Sequence, residues 1–523
     1  MSVECTITVN RGGQSYTTKA RYNDPLFASL YQEGHIAHTC STCSGKGLCG
    51  KCLIKVSGRL NAINPEERSL LGDQLAEHGY RLACFCYVKG DCTVTIPSPE
   101  ELDLTVPLRK HEYGFTVDIG TDYVTVSLHS ITDNNLLDTV EQPNCQLAIS
   151  HDVQGRIDIC NKSPKQHQQL RNMLLSQIYL IMTSLLEKND IDPGSIVHIY
   201  VVGNTCMIHM LVGIDVSTLS DFGSPATRDS LSLTAPEVGF TAFNNATVNI
   251  TGVISGNVGS DAVAAALTTG MYKSQAPVIL VNFGTASSIE ILMGNRNILL
   301  VSSCNHGVNP QQLTCGSLIA PGVILRLWKE KYKVCYVTEN QLPPNGICIA
   351  AALEALDIML NVGIIEPSGK MISAQSLKPS KLRMLGEVNG EQVFFIDRKN
   401  KIYLTQNDIY LLQQIKASVL YNIKRMLNEF DITHQDELSA VYLCGQMGGM
   451  LNVDSAINIG MLPSIVKDIC FGIGNASLQG ASLLLHSPRA RATAEHIRTY
   501  ARLMPPDPDE KQKLADCMPL GRF

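Results

Sequence analysis

The chain has 523 residues, of which 45% are apolar and 17% charged, and its formal net charge is −6. This length allows several domains with well-buried cores, and the composition is typical of a globular protein. The negative balance argues against nucleic acid as a partner, because phosphate backbones are bound by basic surfaces. No apolar run of about eighteen residues and no signal-peptide pattern occurs, so we expect a cytoplasmic location without membrane contact.

The first hundred residues predict a small mixed domain. Residues 3–10 and 14–20 alternate polar and apolar positions on either side of a glycine turn, which predicts a β-hairpin. A short helix, a strand, a second helix starting at Asn64 and a last strand near 92–96 follow. This order of elements, a hairpin followed by a helix, a loop, a strand, a helix and a strand, is typical of the β-grasp fold.

Cysteines crowd this domain. The chain has 18 cysteines, and besides Cys5 the first hundred residues contain Cys40, Cys43, Cys49, Cys52, Cys84, Cys86 and Cys92. In a reducing compartment, clustered cysteines favour metal ligation over disulfides. The scattered cysteines further along are expected to be small buried apolar residues.

Four of these cysteines have a specific spacing. Cys43, Cys49, Cys52 and Cys84 follow the pattern C-x5-C-x2-C-x31-C, with glycines throughout the first loop. Each iron of a 2Fe-2S cluster needs two thiolates, and glycines let backbone amides point at the sulfurs. Zinc knuckles normally have two close CxxC pairs, whereas this loop has one, so zinc is a weaker alternative and a disulfide framework a weaker one still.

The motif resembles that of plant-type and adrenodoxin-like 2Fe-2S ferredoxins, over roughly residues 1–97. The resemblance implies that the four spaced cysteines bind the cluster. Cys40, Cys86 and Cys92 fall outside the pattern and are expected not to be ligands.

A repeated strand-and-turn pattern follows a proline-rich, charged linker. Residues 113–121 read YGFTVDIGT, and residues 277–285 read PVILVNFGT, about 160 residues later. Each glycine turn can present backbone amides and a threonine hydroxyl to a phosphate. Asp118, near the end of the first strand, is placed to hold Mg²⁺ or a water bound to it. Residues 440–449, AVYLCGQMGG, add a strand ending in glycines on which an adenosine can lie.

These turns resemble those of the acetate kinase, sugar kinase, Hsp70 and actin superfamily, in which two ribonuclease-H-like halves close on ATP. More narrowly, residues 113–485 are similar to the C-terminal part of the reductive activators of corrinoid proteins. Residues 201–215, VVGNTCMIHMLVGID, resemble the family's GNTxMxH segment, residues 256–262, GNVGSDA, its GxVGAD turn, and residues 474–481, GNASLQGA, its GNAxLxG segment.

The resemblance implies a set of nucleotide-binding residues, with Asp118 as the catalytic acid. This set is Gly120, Thr121, Gly203, Asn204, Thr205, Gly259, Asp261, Asn282, Gly284, Thr285, Gly445, Gly448 and Gly449. The family usually shows DIGTNGE at the second turn, whereas this chain has Asn282 for the aspartate and Ser288 for the glutamate. An amide cannot act as a base and offers a metal less charge, which weakens the expectation of magnesium binding or ATP hydrolysis at that turn.

The resemblance also implies a fold, α/β, in which a β-grasp 2Fe-2S domain precedes a duplicated actin-like ATPase domain. The expected ranges are 1–97 for the ferredoxin domain, 98–112 for the linker, 113–270 and 271–485 for the two ATPase lobes, and 486–523 for the tail. The tail is expected to be a surface helix and a loose end. A helix beginning at Thr405 is expected to run to about Asn428, with Lys416 in solvent rather than at a phosphate.

The function implied is ATP-dependent reduction of Co(II) to Co(I) in the corrinoid protein of a methyltransferase system. The expected cofactors are a 2Fe-2S cluster, ATP and Mg²⁺, and the expected partners are that corrinoid protein and an external low-potential electron donor, with a homodimer as the assembly. The main alternative is a non-hydrolysing scaffold for corrinoid-protein binding or electron transfer, with a degenerate nucleotide site. An activator of a 2-hydroxyacyl-CoA dehydratase ranks lower, because such activators lack a fused β-grasp ferredoxin.

Overall fold

The computed structural model of the chain describes residues 4–35, 45, 47, 50, 52–97, 112–220, 229–285, 288–304, 309–331 and 333–522. Cys43, Cys49 and residues 98–111 of the predicted linker lie outside these ranges. None of the helices in the described part of the chain combines the length and apolar character that crossing a membrane would require.

The N-terminal domain is a β-grasp fold, as predicted. Its elements are β1 (Glu4–Arg11), β2 (Gln14–Arg21), α1 (Leu26–Gln32), β3 (Leu53–Leu60), α2 (Pro65–Leu71), α3 (Asp73–Glu77), β4 (Tyr80–Leu82) and β5 (Val88–Ile96). They form a five-stranded sheet in the order β2-β1-β5-β3-β4, with β1 parallel to β5. Asn64 caps α2 by accepting a hydrogen bond from the Glu67 amide at 2.7 Å.

The first lobe follows. Its elements are β6 (Tyr113–Ile119), β7 (Tyr123–Ser130), β8 (Asn135–Pro143), α4 (Val153–Lys162), α5 (Pro164–Asn189), β9 (Ile196–Gly203), α6 (Thr205–Val212), β10 (Leu231–Thr234), α7 (Ala235–Val238), β11 (Thr247–Ile250) and α8 (Ser260–Thr269). Its six-stranded sheet has the order β10-β11-β9-β6-β7-β8.

The second lobe contains a sheet of the same size and two smaller sheets. Its elements are β12 (Val278–Thr285), β13 (Ser288–Gly294), β14 (Leu299–Cys304), β15 (Val323–Glu330), β16 (Lys333–Thr338), β17 (Gly346–Ile347), α9 (Ile349–Asn361), α10 (Pro379–Leu382), β18 (Leu385–Val388), β19 (Glu391–Asp397), β20 (Ile402–Leu404), α11 (Gln406–Glu429), β21 (Ala440–Cys444), α12 (Gly445–Met450), α13 (Val453–Asn458), β22 (Cys470–Gly474), α14 (Ala476–His486), α15 (Pro488–Tyr500), β23 (Ala501–Leu503) and α16 (Glu510–Asp516). The larger sheet has the order β22-β21-β12-β13-β14-β23.

The two large sheets share one plan, which confirms the duplicated fold. Each sheet contains an antiparallel meander, β6-β7-β8 in the first lobe and β12-β13-β14 in the second. Later strands of the same lobe continue the sheet beyond the first strand of the meander, β9 next to β6 and β21 next to β12. The first strand of each meander pairs in parallel with the next inner strand, β6 with β9 and β12 with β21. Asp118 and Asn282 therefore occupy equivalent positions on the central strands of the two lobes.

The lobes meet where α8 crosses α14. The apolar core at this crossing is rich in alanine, and a Cβ added at Gly480 would lie 2.2 Å from the carbonyl oxygen of Ala264. Only a glycine permits so close an approach of the two helices.

The C-terminal segment is ordered, and the expectation of a loose end is wrong. Strand β23 pairs with β14 at the edge of the second large sheet. Lys416 is fully buried in α11, and its ammonium group donates to the carbonyl oxygens of Cys517 and Pro519. The predicted solvent exposure of Lys416 is therefore also wrong, because this side chain satisfies backbone acceptors of the folded-back tail.

Candidate functional site: an interlobe cleft and a cysteine-bearing edge

A cleft of about 360 Å³ lies between the two lobes at the ends of β6, β12 and β21. The predicted residues that line it are Asp118, Gly120, Asp261, Asn282, Gly445 and Gly449. They come from both lobes, so the fold brings together residues that are far apart in sequence. The volume is of the order that a small-molecule ligand occupies.

The first turn depends on close backbone packing. A Cβ at Gly120 would lie 3.0 Å from the Tyr123 carbonyl oxygen, and one at Gly203 would lie 2.6 Å from the Ile119 carbonyl oxygen. The buried guanidinium of Arg156 donates to the Thr121 carbonyl oxygen at 2.6 Å and so fixes the turn from behind. The turn is therefore packed tightly against β9 and α4.

Several predicted residues support the cleft without lining it. Asn204 caps α6 by accepting from the Met207 amide at 3.0 Å, and its own amide donates to the Thr121 hydroxyl at 3.2 Å. Thr205 is buried, and its hydroxyl donates to the Ser255 carbonyl oxygen at 2.7 Å. These contacts give Asn204 and Thr205 structural roles in the described conformation.

The other predicted glycines are positions of close packing. A Cβ at Gly259 would lie 2.3 Å from the Gly203 carbonyl oxygen, and one at Gly448 would lie 3.0 Å from the Phe283 ring. Gly284 and Thr285 form the end of β12, beside the cleft-lining Asn282. Binding of a nucleotide by this whole set stays a prediction.

Three carboxylates cluster around the cleft. Desolvation, with the nearby charge of Asp261, raises the pKa of Asp118 to about 7, and desolvation raises that of Asp261 to about 6. Burial and the charge of Asp261 raise the pKa of Glu290 well above its ordinary value. Buried carboxylates that lie close to one another are stabilised either by protonation or by a bound cation.

Both ends of the Asn282 side-chain amide are hydrogen-bonded to neighbouring side chains. Its amide nitrogen donates to Glu290 at 3.1 Å, and its amide oxygen accepts from the thiol of Cys444 at 3.3 Å. Glu290 lies directly opposite Asn282 across the β12–β13 ladder and is only 3% exposed. Strand β12 thus has an amide where β6 has the carboxylate of Asp118, but Glu290 on the neighbouring strand β13 supplies a carboxylate behind the cleft.

Sequence reasoning missed other cleft residues: Tyr123, Thr125, Glu141, Gln446, Met450, Gly474, Asn475 and Ser477. Two of these residues bridge the lobes: Gln446 donates to Glu141 at 2.9 Å, and Asn475 donates to the predicted residue Asp118 at 2.8 Å. Asn475 had a recognisable signal, since an asparagine just before a helix is a typical N-cap.

The carboxylates of the cleft could bind Mg²⁺ only together with other ligands, such as water and phosphate oxygens. The side chains nearest the cleft offer carboxylate oxygens, which are the donors that Mg²⁺ prefers. Among the described residues, no group of three or more His, Cys, Asp or Glu side chains is arranged to hold a metal ion. Mg²⁺ commonly binds one or two carboxylates together with water and substrate phosphates, so Asp118 and Asp261 are sufficient for that mode.

The cysteine-bearing edge of the N-terminal domain fits a cluster loop. The amide of Cys84 points at the Cys52 sulfur at 3.4 Å, which brings the last two cysteines of the motif together. Gly45 and Gly47 have φ values of +78° and +71°, and a Cβ at either would lie under 3 Å from the ring of Phe27 or Phe85. The loop therefore requires glycine at both positions.

Comparisons with known proteins match the whole arrangement. Residues 9–89 match the model of the 2Fe-2S iron-sulfur cluster binding domain, residues 113–274 the RACo middle region, and residues 276–505 the C-terminal domain of RACo, the ASKHA domain. The chain thus carries a 2Fe-2S cluster-binding domain joined to an actin-like ASKHA domain. It belongs to the family of reductive activators of corrinoid proteins.

Individual relatives are distant. The chain is 27% identical over 405 residues to the corrinoid activation enzyme RamQ of Eubacterium limosum, covering 75% of this chain and 66% of the relative, slightly less than two thirds of its length. It is 19% identical over 433 residues to a [Co(II) methylated amine-specific corrinoid protein] reductase of Methanosarcina barkeri, covering 74% of each. The solved structure of a reductive activator for corrinoid, iron-sulfur protein superposes with a TM-score of 0.72 at 22% identity, over 98% of both chains.

Proposed function

We propose that this chain is an ATP-dependent oxidoreductase that activates a corrinoid protein of a methyltransferase system by one-electron reduction of Co(II) to Co(I). The proposal rests on the presence, in one chain, of both a cysteine-bearing ferredoxin edge and an interlobe cleft lined by acidic residues. Two relatives, a corrinoid activation enzyme and a Co(II) corrinoid protein reductase, support the substrate class.

Cys43, Cys49, Cys52 and Cys84 are the proposed ligands. When bound, a 2Fe-2S cluster supplies single electrons at a potential near about −400 mV. An external low-potential donor replaces each electron delivered, so that one electron enters the chain for each Co(II) centre reduced. Cys52 and Cys84 lie together at one edge of the domain, where Gly45 and Gly47 pack closely against Phe27 and Phe85.

The cleft is the proposed nucleotide site. The Gly120 turn borders the phosphate end of this site, with Thr121 buried behind it, while the Gly445–Met450 helix α12 provides the glycine surface for the adenosine. Asp118 and Asp261 would hold Mg²⁺, whose charge would stabilise their ionised forms and the phosphates together. Because both lobes contribute, nucleotide binding favours one interlobe arrangement, and such a shift can favour the partner state in which cobalt is reduced.

A non-hydrolysing scaffold is the second candidate, and the engagement of Asn282 favours it. An amide is not a base, and the amide of Asn282 is already hydrogen-bonded to Glu290 and Cys444. In that case nucleotide binding, rather than hydrolysis, would set the interlobe arrangement.

One experiment tests the proposal and separates the candidates. The chain is purified without oxygen, reduced, and mixed with a Co(II) corrinoid protein, and the Co(I) absorbance is followed with ATP, with a non-hydrolysable ATP analogue and without nucleotide. Phosphate release is measured in parallel. Reduction that needs ATP and releases phosphate supports the enzyme, equal reduction with the analogue supports the scaffold, and no reduction under any condition rejects both.

A further inference from the structure

A small cavity lies between the two lobes, next to the interlobe cleft. Its volume is about 40 Å³, and it shares Gln446 and Met450 with the cleft. Asp122 lines it from the first lobe. The other walls come from the second lobe and are mostly apolar side chains, such as those of Phe283, Ile319, Ile349 and Met447. The cavity therefore combines one carboxylate with apolar surroundings.

The carboxylate of Asp122 is buried without complete pairing. The residue is only 4% exposed, and its Oδ1 has no hydrogen-bond partner among the residues that the structure describes. The backbone is fixed to the first lobe, because the Asp122 carbonyl oxygen accepts from the Asn144 amide at 2.8 Å. A buried carboxylate oxygen without a donor is strongly unfavourable, so the position calls for a ligand that supplies one.

The neighbouring guanidinium of Arg156 does not supply that donor. It is fully buried and donates to the carbonyl oxygens of Ser150 and Thr121 and to the sulfur of Met207, at 3.3, 2.6 and 3.3 Å. Desolvation raises the pKa of Asp122 to about 6, although the charge of Arg156 opposes this effect. Asp122 is therefore mainly ionised at pH 8, and its Oδ1 still needs a donor.

We propose that this cavity binds a small primary alkylammonium ion. The ammonium group donates to Oδ1 of Asp122, and the alkyl group contacts the apolar walls. A cavity needs about 10–15 Å³ for each water-sized occupant, so this one admits a ligand of about three non-hydrogen atoms. An inorganic cation fits less well, because it needs several oxygen ligands in place of its hydration shell and these walls are mostly apolar. The inference does not depend on the proposed function.

A bound alkylammonium ion would join the lobes. Two interlobe hydrogen bonds already flank the cavity: the Tyr123 hydroxyl donates to the Ile319 carbonyl oxygen at 3.3 Å, and the Asn309 side-chain amide donates to the His151 carbonyl oxygen at 2.9 Å. The ion would have its charged partner in the first lobe and its apolar contacts in the second. Its binding therefore favours the lobe arrangement described here over a more open one.

Ethylammonium tests the proposal on the full-length chain at pH 8, without nucleotide. Ethanol is the uncharged comparison, since it has the same number of non-hydrogen atoms. Binding of each is measured by saturation-transfer NMR titration at constant ionic strength. Asp122→Asn removes the charge and keeps the shape, Ala350→Val narrows the cavity and keeps the carboxylate, and Asp158→Asn removes an exposed carboxylate of the same lobe as the matched control.

We expect saturable binding of ethylammonium to the native chain and to Asp158→Asn. Binding to Asp122→Asn should be weaker by roughly tenfold or more, as should binding of ethanol to the native chain, because a charge-assisted hydrogen bond is lost in both cases. Ala350→Val should also bind ethylammonium more weakly, because the ligand no longer fits.

Three results would overturn the proposal: no saturable ethylammonium binding, unchanged binding to Asp122→Asn, or ethanol bound as tightly as ethylammonium. Displacement of ethylammonium by an equal concentration of potassium would also overturn it, by assigning the cavity to an inorganic cation. Circular dichroism shows whether the variants fold, and if Asp122→Asn does not, Ala350→Val and the ethanol comparison still decide. The experiment needs neither ATP nor a corrinoid protein, so its failure leaves the proposed function standing.

Discussion

The side-chain amide of Asn475 donates to the carboxylate of Asp118 at 2.8 Å, across 357 positions of the sequence. Asn475 also caps α14, since its amide oxygen accepts from the Leu478 amide at 2.9 Å. The Asn475 side chain thus caps a helix of the second lobe and also donates a hydrogen bond to Asp118 in the first lobe. The charge on Asp118 and the relative position of the lobes are therefore physically linked.

Asp118→Asn should stabilise the nucleotide-free chain at high pH. The folded-state pKa of Asp118 is about 7, raised from 3.8 by desolvation and then by the charge of Asp261, so the folded chain binds this proton more tightly than the unfolded chain. The associated stability is present below about pH 4 and is lost as the pH rises through 7. The variant should nearly match the native chain at pH 4, gain on it between about pH 4 and 7, and exceed it at pH 8 by on the order of a few kcal/mol.

Thermal unfolding without nucleotide or magnesium checks this, with Asp133→Asn, in the β7–β8 turn, as the control. We expect Asp118→Asn to lose magnesium-dependent nucleotide binding as well, measured by calorimetry. A variant less stable than the native chain at pH 8 would show that the carboxylate is already compensated.

Asn282→Asp should destabilise the nucleotide-free chain. The substitution removes the donor to Glu290 and places a second carboxylate beside it in a buried position. A loss on the order of 2 kcal/mol is expected, because the lost hydrogen bond and the repulsion act together. The double variant Asn282→Asp/Glu290→Gln exchanges donor and acceptor and should recover most of the stability, as measured by denaturant unfolding at pH 7.5. Equal losses in the single and double variants would indicate a steric cause instead.

Cys52→Ala and Cys84→Ala should abolish the visible absorbance of the cluster and most of the bound iron. The two residues are already adjacent, with the Cys84 amide 3.4 Å from the Cys52 sulfur. Cys86→Ala is the matched control, because the Cys86 thiol is buried and donates to the Leu82 carbonyl oxygen at 3.4 Å. Iron and sulfide analysis after anaerobic purification checks the three variants, and retention of iron in Cys52→Ala would rule out the ligand set.

The sequence predicted features whose signals are local or periodic. The long helix capped by Thr405 ends at Glu429, one residue beyond the predicted end, because its capping box and apolar stripe are both contained within the segment. The strand-and-turn repeat predicted the duplicated fold because each copy of the repeat is also contained within one short segment. The domain limits stay a prediction.

What the sequence did not predict depends on contacts between distant segments. Glu290 was overlooked because only the β12–β13 register places it opposite Asn282. Asn475 was not assigned to the site because its partner Asp118 belongs to the other lobe. Lys416 was assigned to solvent because nothing in its own helix indicates that residues 517–519 fold back onto it.

Lys416→Met should release the C-terminal segment. The native ammonium group is buried and donates to the carbonyl oxygens of Cys517 and Pro519, so its removal leaves two backbone acceptors unsatisfied. Each unsatisfied buried acceptor costs about 1–3 kcal/mol, unless the segment detaches and is hydrated. We therefore expect faster hydrogen exchange at residues 505–522 and little change elsewhere. Lys467→Met is the control, because Lys467 is 53% exposed and its ion pair is with the exposed Asp454. Unchanged exchange in the Lys416 variant would mean that the segment is held by its apolar contacts, such as that of Cys517 with α11, rather than by this lysine.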